Sequence, residues 1–280
     1  MREQWVWRYE LQAAGALNAA TARTSYRGAL IFDGKGYGCV HPWPELGDRE
    51  LEVILADLGE CELSKRSLFC QEMDGKARLA GQWLFDGVKV PRSHGLVVRE
   101  QVPEGFDVYK IKARLQNLEW VREFCEGAKE GAVRLDFNGT GRPGMFDDWS
   151  ERALRTVEFV EDPYPPELGD WAALPVPTAN DFFEGGGEFR VVKPAVQMMN
   201  GELGKVVVTS YLDHPVGQAF AAFEAGRAGI QRVCGLQTHG VFEVDEFTEA
   251  LGPVGPEFSP PEGTGLGFDE FLEKLPWVKL

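Results

Sequence analysis

The sequence predicts an α/β fold: a small α+β unit over the first third, then a closed parallel barrel that lacks part of its helical ring. Three observations carry this. Residues 1–94 read as three strands followed by two helices. From about Gly95, short apolar runs alternate with loops and helical stretches, the pattern of a parallel sheet. Eight such runs follow in turn, the number that closes a (β/α)8-like barrel rather than leaving an open sheet.

The elements follow in chain order. Trp5 to Leu11 alternates aromatic or apolar with polar residues, as a half-buried strand does. Gly28 to Phe32, the turn Asp33-Gly34-Lys35-Gly36 and Tyr37 to His41 predict a hairpin. Leu51, Ile54, Leu55 and Leu58 are spaced for a helix. Ser64 is the expected N-cap of a second helix, which carries Leu68, Phe69, Met73 and Ala77. The barrel strands are expected at 96–98, 106–112, 133–138, 157–161, 176–181, 189–193, 205–210 and 233–238. Helices are expected at 118–129, 149–156 and 216–228. The links 182–188 and 195–204 are too short for a full helix, so the ring should be trimmed there. The tail, residues 252–280, is rich in Pro and Gly and helical only near 269–275; it is expected to pack back on the first domain. The expected domains are therefore 1–94 and 95–251.

The informative feature is where ionisable residues fall. Residues at the C-terminal ends of barrel strands line the site, and side chains two apart on a strand share a face. Lys110 and Lys112 then point inward, as do Arg134, Asp136 and Asn138. Glu161, Asp181 and Lys193 end the next strands in order. Three carboxylates on separate rigid strands, held between lysines, suit a hard cation such as Mg²⁺. A lone Lys-x-Lys is most often a solvated edge, and Asp-Phe-Asn-Gly at 136–139 alone reads as a turn. Their order on successive strand ends is what argues against the bland reading.

Composition bounds the partners. The 280 residues carry a net charge of −15 with no Lys/Arg-rich run, so nucleic acid and anionic membrane surfaces are disfavoured. Five scattered cysteines without Cys-x-x-Cys spacing argue for reduced thiols and a cytoplasmic protein. Neither a signal peptide nor a membrane-spanning run is evident.

Lys110-Ile-Lys112, Arg134-Leu-Asp136-Phe-Asn138, Val160-Glu161-Asp162-Pro163, Ala179-Asn180-Asp181 and Val192-Lys193-Pro194 resemble the motif series of the muconate-lactonising branch of the enolase superfamily. Val208-Thr-Ser210 and Cys234-Gly-Leu-Gln-Thr238 are most similar to the o-succinylbenzoate synthases of menaquinone biosynthesis. The resemblance spans nearly the whole chain. It implies a modified TIM barrel, (β/α)7β, under an N-terminal α+β capping domain. It also implies a Mg²⁺-dependent syn dehydration of 2-succinyl-6-hydroxy-2,4-cyclohexadiene-1-carboxylate through an ene-diolate. Lys112 would be the base and Lys193 the group across the ring. Asp136, Glu161 and Asp181 would hold the metal; Lys110, Arg134, Asn138 and Ser210 would meet the small carboxylate substrate. The loop near Arg23 to Arg27 would close over it.

The chain departs from that pattern at Asp181-Phe182, where the family has Asp-Glu. Asn180 or Glu184 therefore stays open as third ligand, and Asp162 is a weaker rival to Glu161 because it faces the other way. Two lysines flanking a substrate equally suit an N-acylamino-acid racemase or dipeptide epimerase. A barrel that has lost its metal site is a third reading. His41, His94, His214 and His239 raise a zinc hydrolase, but neither His-x-His nor His-Glu-x-x-His spacing is present. His214 and His239 are expected to cap loops or touch substrate. A trimmed barrel is compatible with a monomer.

Overall fold

The computed structural model describes residues 3–15, 17 and 22–280. An antiparallel sheet opens the chain: β1 (Trp5–Gln12), β2 (Ser25–Phe32) and β3 (Tyr37–Val40). The hairpin pairs Phe32 with Tyr37. Its turn is held by the Asp33 carboxylate, which accepts from Lys35 N and Gly36 N at 3.1 Å each. Helices α1 (Leu51–Ala56) and α2 (Glu62–Leu79) follow.

Helix α2 differs from expectation in two ways. It begins one turn earlier, with Cys61 as N-cap; Ser64 sits at the third helical position, its Oγ accepting from Gly59 N at 3.0 Å and Cys61 N at 3.3 Å. Its buried face is small and polar (Ser67, Cys70, Gln71, Asp74, Gly75), while Phe69 is exposed. The reason is backbone contact. A Cβ at Gly36 would lie 2.2 Å from Gln71 O, and one at Gly38 would lie 2.3 Å from Ser67 O. A hairpin that close to a helix leaves no room for Leu or Phe.

The barrel strands are β4 (Gly95–Val97), β5 (Tyr109–Lys112), β6 (Val133–Asp136), β7 (Val157–Glu161), β8 (Thr178–Asn180), β9 (Phe189–Val192) and β10 (Val206–Val208). They form one parallel sheet in chain order. The eighth place is taken by Cys234 and Gly235, which bridge Ser93 and Thr209 in parallel and close the ring. Gly235 N donates to Val208 O (2.8 Å) and His94 N to Cys234 O (2.7 Å). β7 fills its expected run and β4 is shifted by one residue, while the other five strands are shorter than the apolar runs that announce them.

Among the described residues three α-helices follow barrel strands: α3 (Leu118–Gly127), α4 (Glu151–Thr156) and α5 (Pro215–Arg227). The β8–β9 and β9–β10 links lack an α-helix, as their length requires, and so do the β4–β5 and β7–β8 links. Trp171 substitutes for a helix at β7–β8: it is buried, and its Nε1 donates to Tyr164 O at 2.9 Å.

The tail adds α6 (Glu246–Ala250), α7 (Asp269–Leu272) and β11 (Val278–Lys279), which pairs antiparallel with β1. Asp74 of α2 ties hairpin to tail, accepting from Tyr37 N at 2.9 Å and Leu266 N at 2.7 Å. One hydrophobic core runs from the N-terminal sheet (Tyr9, Leu11, Tyr26, Leu30) into the barrel (Val206, Val208, Phe220, Phe223). At about 2 kcal/mol per buried large apolar side chain, that seam fixes the sheet over the barrel mouth. The cysteines Cys39, Cys61, Cys70, Cys125 and Cys234 are all free. Among the described residues no helix is long and apolar enough to cross a membrane.

Candidate active site

The pleat of β5 sends Tyr109 and Ile111 outward, where Ile111 packs with Val121 and Cys125 of α3. Lys110 and Lys112 therefore turn inward. Lys110 Nζ lies 2.7 Å from Glu161 Oε1 and 2.9 Å from Asp136 Oδ2; Lys112 Nζ lies 2.5 Å from that same Asp136 oxygen. The Lys110 side chain is 9 % exposed and that of Lys112 24 %, so Lys112 is the one that faces the open space. Lys193, just past β9, pairs with Asp181, just past β8. In an eight-position ring β5 and β9 are four places apart, so the two lysines stand on opposite walls. The carboxylates of β6, β7 and the β8 end occupy the arc between them.

The electrostatics follow from this packing. Burial opposes ionisation of Asp136, but Lys110 and Lys112 outweigh it and hold its carboxyl well below the usual range. Burial also works against the Lys110 ammonium, yet Asp136, Glu161 and Asp181 together raise it above an ordinary lysine. Glu161 goes the other way: burial first, then Asp136, push its carboxyl well above the usual range despite Lys110. Asp181, held low by Lys193 and Lys110 against its burial, is the hydrogen-bond partner of Glu161. The floor thus sets three carboxylates against three lysines, and Glu161 is the carboxylate whose negative charge is least favoured.

These are hard oxygen donors on three successive strand ends, the kind of ligand a hard divalent cation takes. The donor set fits Mg²⁺. Among the described residues no three acidic, His or Cys side chains form a ready cage, because the Lys110 ammonium lies between Asp136 and Glu161.

Asp162 points away from the floor. Its carboxylate accepts from Asp181 N (3.1 Å), Phe182 N (2.8 Å) and Phe183 N (3.3 Å), fixing the loop that carries Asp181. Asn180 is engaged in the same loop, accepting from Gly187 N at 2.9 Å, and Glu184 is exposed. Of the three rivals for third ligand, Asp181 alone meets the lysines.

Above the floor lies a cavity of about 340 Å³. Lys110, Lys112, Asn138, Asp181, Lys193 and Ser210 line it. Asn138 is set by Asp136, whose Oδ1 takes Asn138 Nδ2 at 2.6 Å. Ser210 Oγ lies 2.6 Å from Thr238 Oγ1. Arg134 does not line the cavity, contrary to its expected role with substrate. Its Nε donates to Glu158 Oε2 at 2.6 Å, its Nη1 lies 3.0 Å from His94 Nδ1, and it stacks over Phe159 in the barrel interior. Arg134 faces inward, as the pleat of β6 requires, but lies too deep to reach the cavity.

The sequence reading missed several wall residues. His94 shares the period-two row of Leu96, which marks it as inward once the strand is drawn. Thr209 joins the expected Ser210 at the cavity because the pleat stops at Val208, so parity no longer separates them. Trp43, Glu45 and Leu46 come from the N-terminal domain. Trp43 Nε1 donates to Tyr211 O and Tyr211 OH to Asp48 Oδ2, latching that loop to the barrel. Arg23 pairs with Glu45 at this rim. His214 caps α5, its Nδ1 accepting from Val216 N, and His239 bonds Gly252 O; neither lines the cavity.

A closed parallel barrel under an antiparallel N-terminal sheet, with acids and lysines at its rim, defines the enolase-superfamily class. Solved structures agree on the fold. A member of the enolase superfamily from Listeria innocua matches with a TM-score of 0.74 at 15 % identity, covering 100 % of this chain and 98 % of that one. The o-succinylbenzoate synthase of Thermosynechococcus elongatus BP-1, complexed with Mg in its active site, matches at 0.72 with 17 % identity (98 % and 100 % covered). The L-Ala-D/L-Glu epimerase of Bacillus subtilis also gives 0.72, at 15 % identity (95 % and 98 %).

The sequence narrows the class. Residues 4–77 match the family described as O-succinylbenzoate synthase, N-terminal domain. The chain is 30 % identical to the o-succinylbenzoate synthase of Bdellovibrio bacteriovorus, over 97 % of both chains. It belongs to the o-succinylbenzoate synthase family, hydro-lyases of the enolase superfamily.

Proposed function

We propose that this enzyme dehydrates 2-succinyl-6-hydroxy-2,4-cyclohexadiene-1-carboxylate to 2-succinylbenzoate, the aromatising step of menaquinone biosynthesis, in the cytoplasm. The observation that carries the reading is the pair of lysines on opposite barrel walls with three carboxylates in the arc between them. Asp136, Glu161 and Asp181 would hold Mg²⁺. When bound, it would supply Lewis-acid stabilisation of charge on the substrate carboxylate.

The chain's own residues do the rest. The substrate proton lies α to a carboxylate, so its removal places a second negative charge on an anion. Lys112, the more open of the two β5 lysines, takes that proton as the neutral amine and so becomes the ammonium. The same ammonium then protonates the departing hydroxide, which the syn geometry places on the same face. Lys193, on the far wall, holds the ring by charge and by cation–π contact. Lys110, buried on Asp136 and Glu161, keeps positive charge beneath the carboxylate without entering the proton transfer. Asn138 and Ser210 orient the substrate oxygens. Leu96, Phe182, Phe183 and Leu212 supply apolar wall for the ring.

The test is conversion of the cyclohexadiene followed by absorbance of the aromatic product. Mg²⁺-dependent turnover abolished by chelation is expected; no turnover with Mg²⁺ would sink the reading. One observation favours a second activity: lysines on both walls also suit proton transfer between the two faces of an α-carbon. N-succinyl amino acids or dipeptides incubated in deuterated water would then exchange their α-proton.

A further inference from the structure

His94 belongs to no role assigned above, yet it is held more tightly than a wall residue needs to be. It is 8 % exposed, lines the cavity, and follows the bridge that closes the barrel. Its Nδ1 lies 3.0 Å from Arg134 Nη1. A guanidinium has donors only, so Nδ1 must accept, and the single proton of a neutral imidazole must sit on Nε2. An imidazolium would set two donors face to face beside Arg134, Lys110 and Lys112. Burial and those three cations together keep His94 neutral.

The ring's other edge has a built setting. A Cβ at position 235 would lie 2.7 Å from His94 Cε1 and 2.8 Å from Nε2, so only glycine leaves that edge free. Thr209, beside it, carries a buried hydroxyl with no partner among the described residues. Arg134 is itself fixed by Glu158, which Arg232 also holds, and by the Phe159 ring.

We propose that His94 is a substrate-binding residue, a neutral imidazole that presents Nε2–H to the cavity as a fixed donor for a substrate oxygen, with Arg134 as the positioning residue that selects this tautomer. The proposal rests on the dehydratase reading for the identity of the substrate, not for the state of the ring. A neutral donor suits an anionic ligand among lysines because it cannot exchange protons with the base and holds its direction across the working pH range. It also gives Arg134 a function: the guanidinium acts one residue removed from the ligand.

Nitrogen-15 spectra of the imidazole in the Mg²⁺-loaded protein at pH 7 test the ring directly. The expected state is neutral with the proton on Nε2; an Nδ1–H tautomer or an imidazolium would overturn the proposal. Calorimetry with 2-succinylbenzoate as probe tests the contact. His94→Phe should weaken binding about tenfold, and His94→Gln, whose amide still donates, should recover most of it. Mg²⁺ affinity should stay unchanged in both. Equal binding by His94→Phe, or a parallel loss of Mg²⁺ affinity, would reduce the residue to packing. A wild type with the Nε2–H tautomer that fails to bind 2-succinylbenzoate would overturn the substrate assignment instead.

Discussion

Two buried polar clusters in this molecule solve the same problem in opposite ways. The barrel floor pairs its groups: Lys110, Lys112 and Lys193 lie directly on Asp136, Glu161 and Asp181, and of the three carboxylates Glu161 alone is pushed toward its neutral form. The seam between the N-terminal sheet and α5 keeps its groups neutral. There Tyr9, Cys39, His41, Asp213 and His214 are enclosed without an ion pair among the described residues, and Tyr9 OH bonds His41 Nδ1 at 3.0 Å. Burial pushes the Asp213 carboxyl up to about 7 and the imidazoles of His41 and His214 down to about 3. Both clusters are expensive to bury. The difference is access: the floor opens to a cavity where its charge can act on a ligand, and the seam opens to nothing. Charge is retained where it has work, and protonation state gives way where it has none.

The largest expected effect comes from breaking the floor. Lys112→Ala should cut the dehydration rate by about 10³, and Lys193→Ala by about 10², with Mg²⁺ binding intact by calorimetry. Wild-type rates in both variants would remove the assigned roles. A smaller effect separates the metal ligand from its support. Asp162→Asn removes a carboxylate that accepts three backbone N–H groups from the Asp181 loop, so Mg²⁺ should bind about tenfold more weakly. Unaltered affinity would mean that the loop holds itself.

The seam predicts a pH effect of defined sign. Asp213 has a folded pKa of about 7 against an ordinary 3.8, so its contribution is complete below pH 4 and is lost as pH rises through 7. His41 and His214 work oppositely, favouring the folded chain above pH 6.5 and losing that advantage as pH falls toward 3. Asp213→Asn should therefore gain on the wild type by a few kcal/mol between pH 4 and pH 8, read from denaturant titrations at each pH. A pH-independent difference would show that the Asp213 pKa is the same in the folded and the unfolded chain, and a difference of opposite slope that it is ionised and paired. Smallest is Tyr9→Phe, which removes a buried hydroxyl bonded to His41 Nδ1 and Cys39 Sγ and should cost about 1 kcal/mol with no change in turnover.

How much of this the sequence carried depends on where information sits in the chain. Alternation and strand order are local signals, and they placed all eight barrel positions, including Cys234-Gly235, which is only two residues wide. The row Lys110, Lys112, Asp136, Glu161, Asp181, Lys193 was legible because barrel topology turns chain order into angular order. Depth was not legible. Arg134 and Asp136 share a face, yet one lies beneath the cavity and the other at its floor, because strand tilt sets height and is invisible to parity. The α2 face was misread because contact between backbones selects Ser, Cys and Gly, which a search for apolar periodicity passes over. Walls contributed by the N-terminal domain, such as Trp43, required the tertiary fold.

The central claim is a substrate ring held between two lysines above a three-carboxylate metal site. A crystal structure of the protein with Mg²⁺ and 2-succinylbenzoate tests it most directly. The account predicts the metal on Asp136, Glu161 and Asp181, with the ring between Lys112 Nζ and Lys193 Nζ. A metal on other residues, or a ring that leaves either lysine on the same side as its partner, would contradict it.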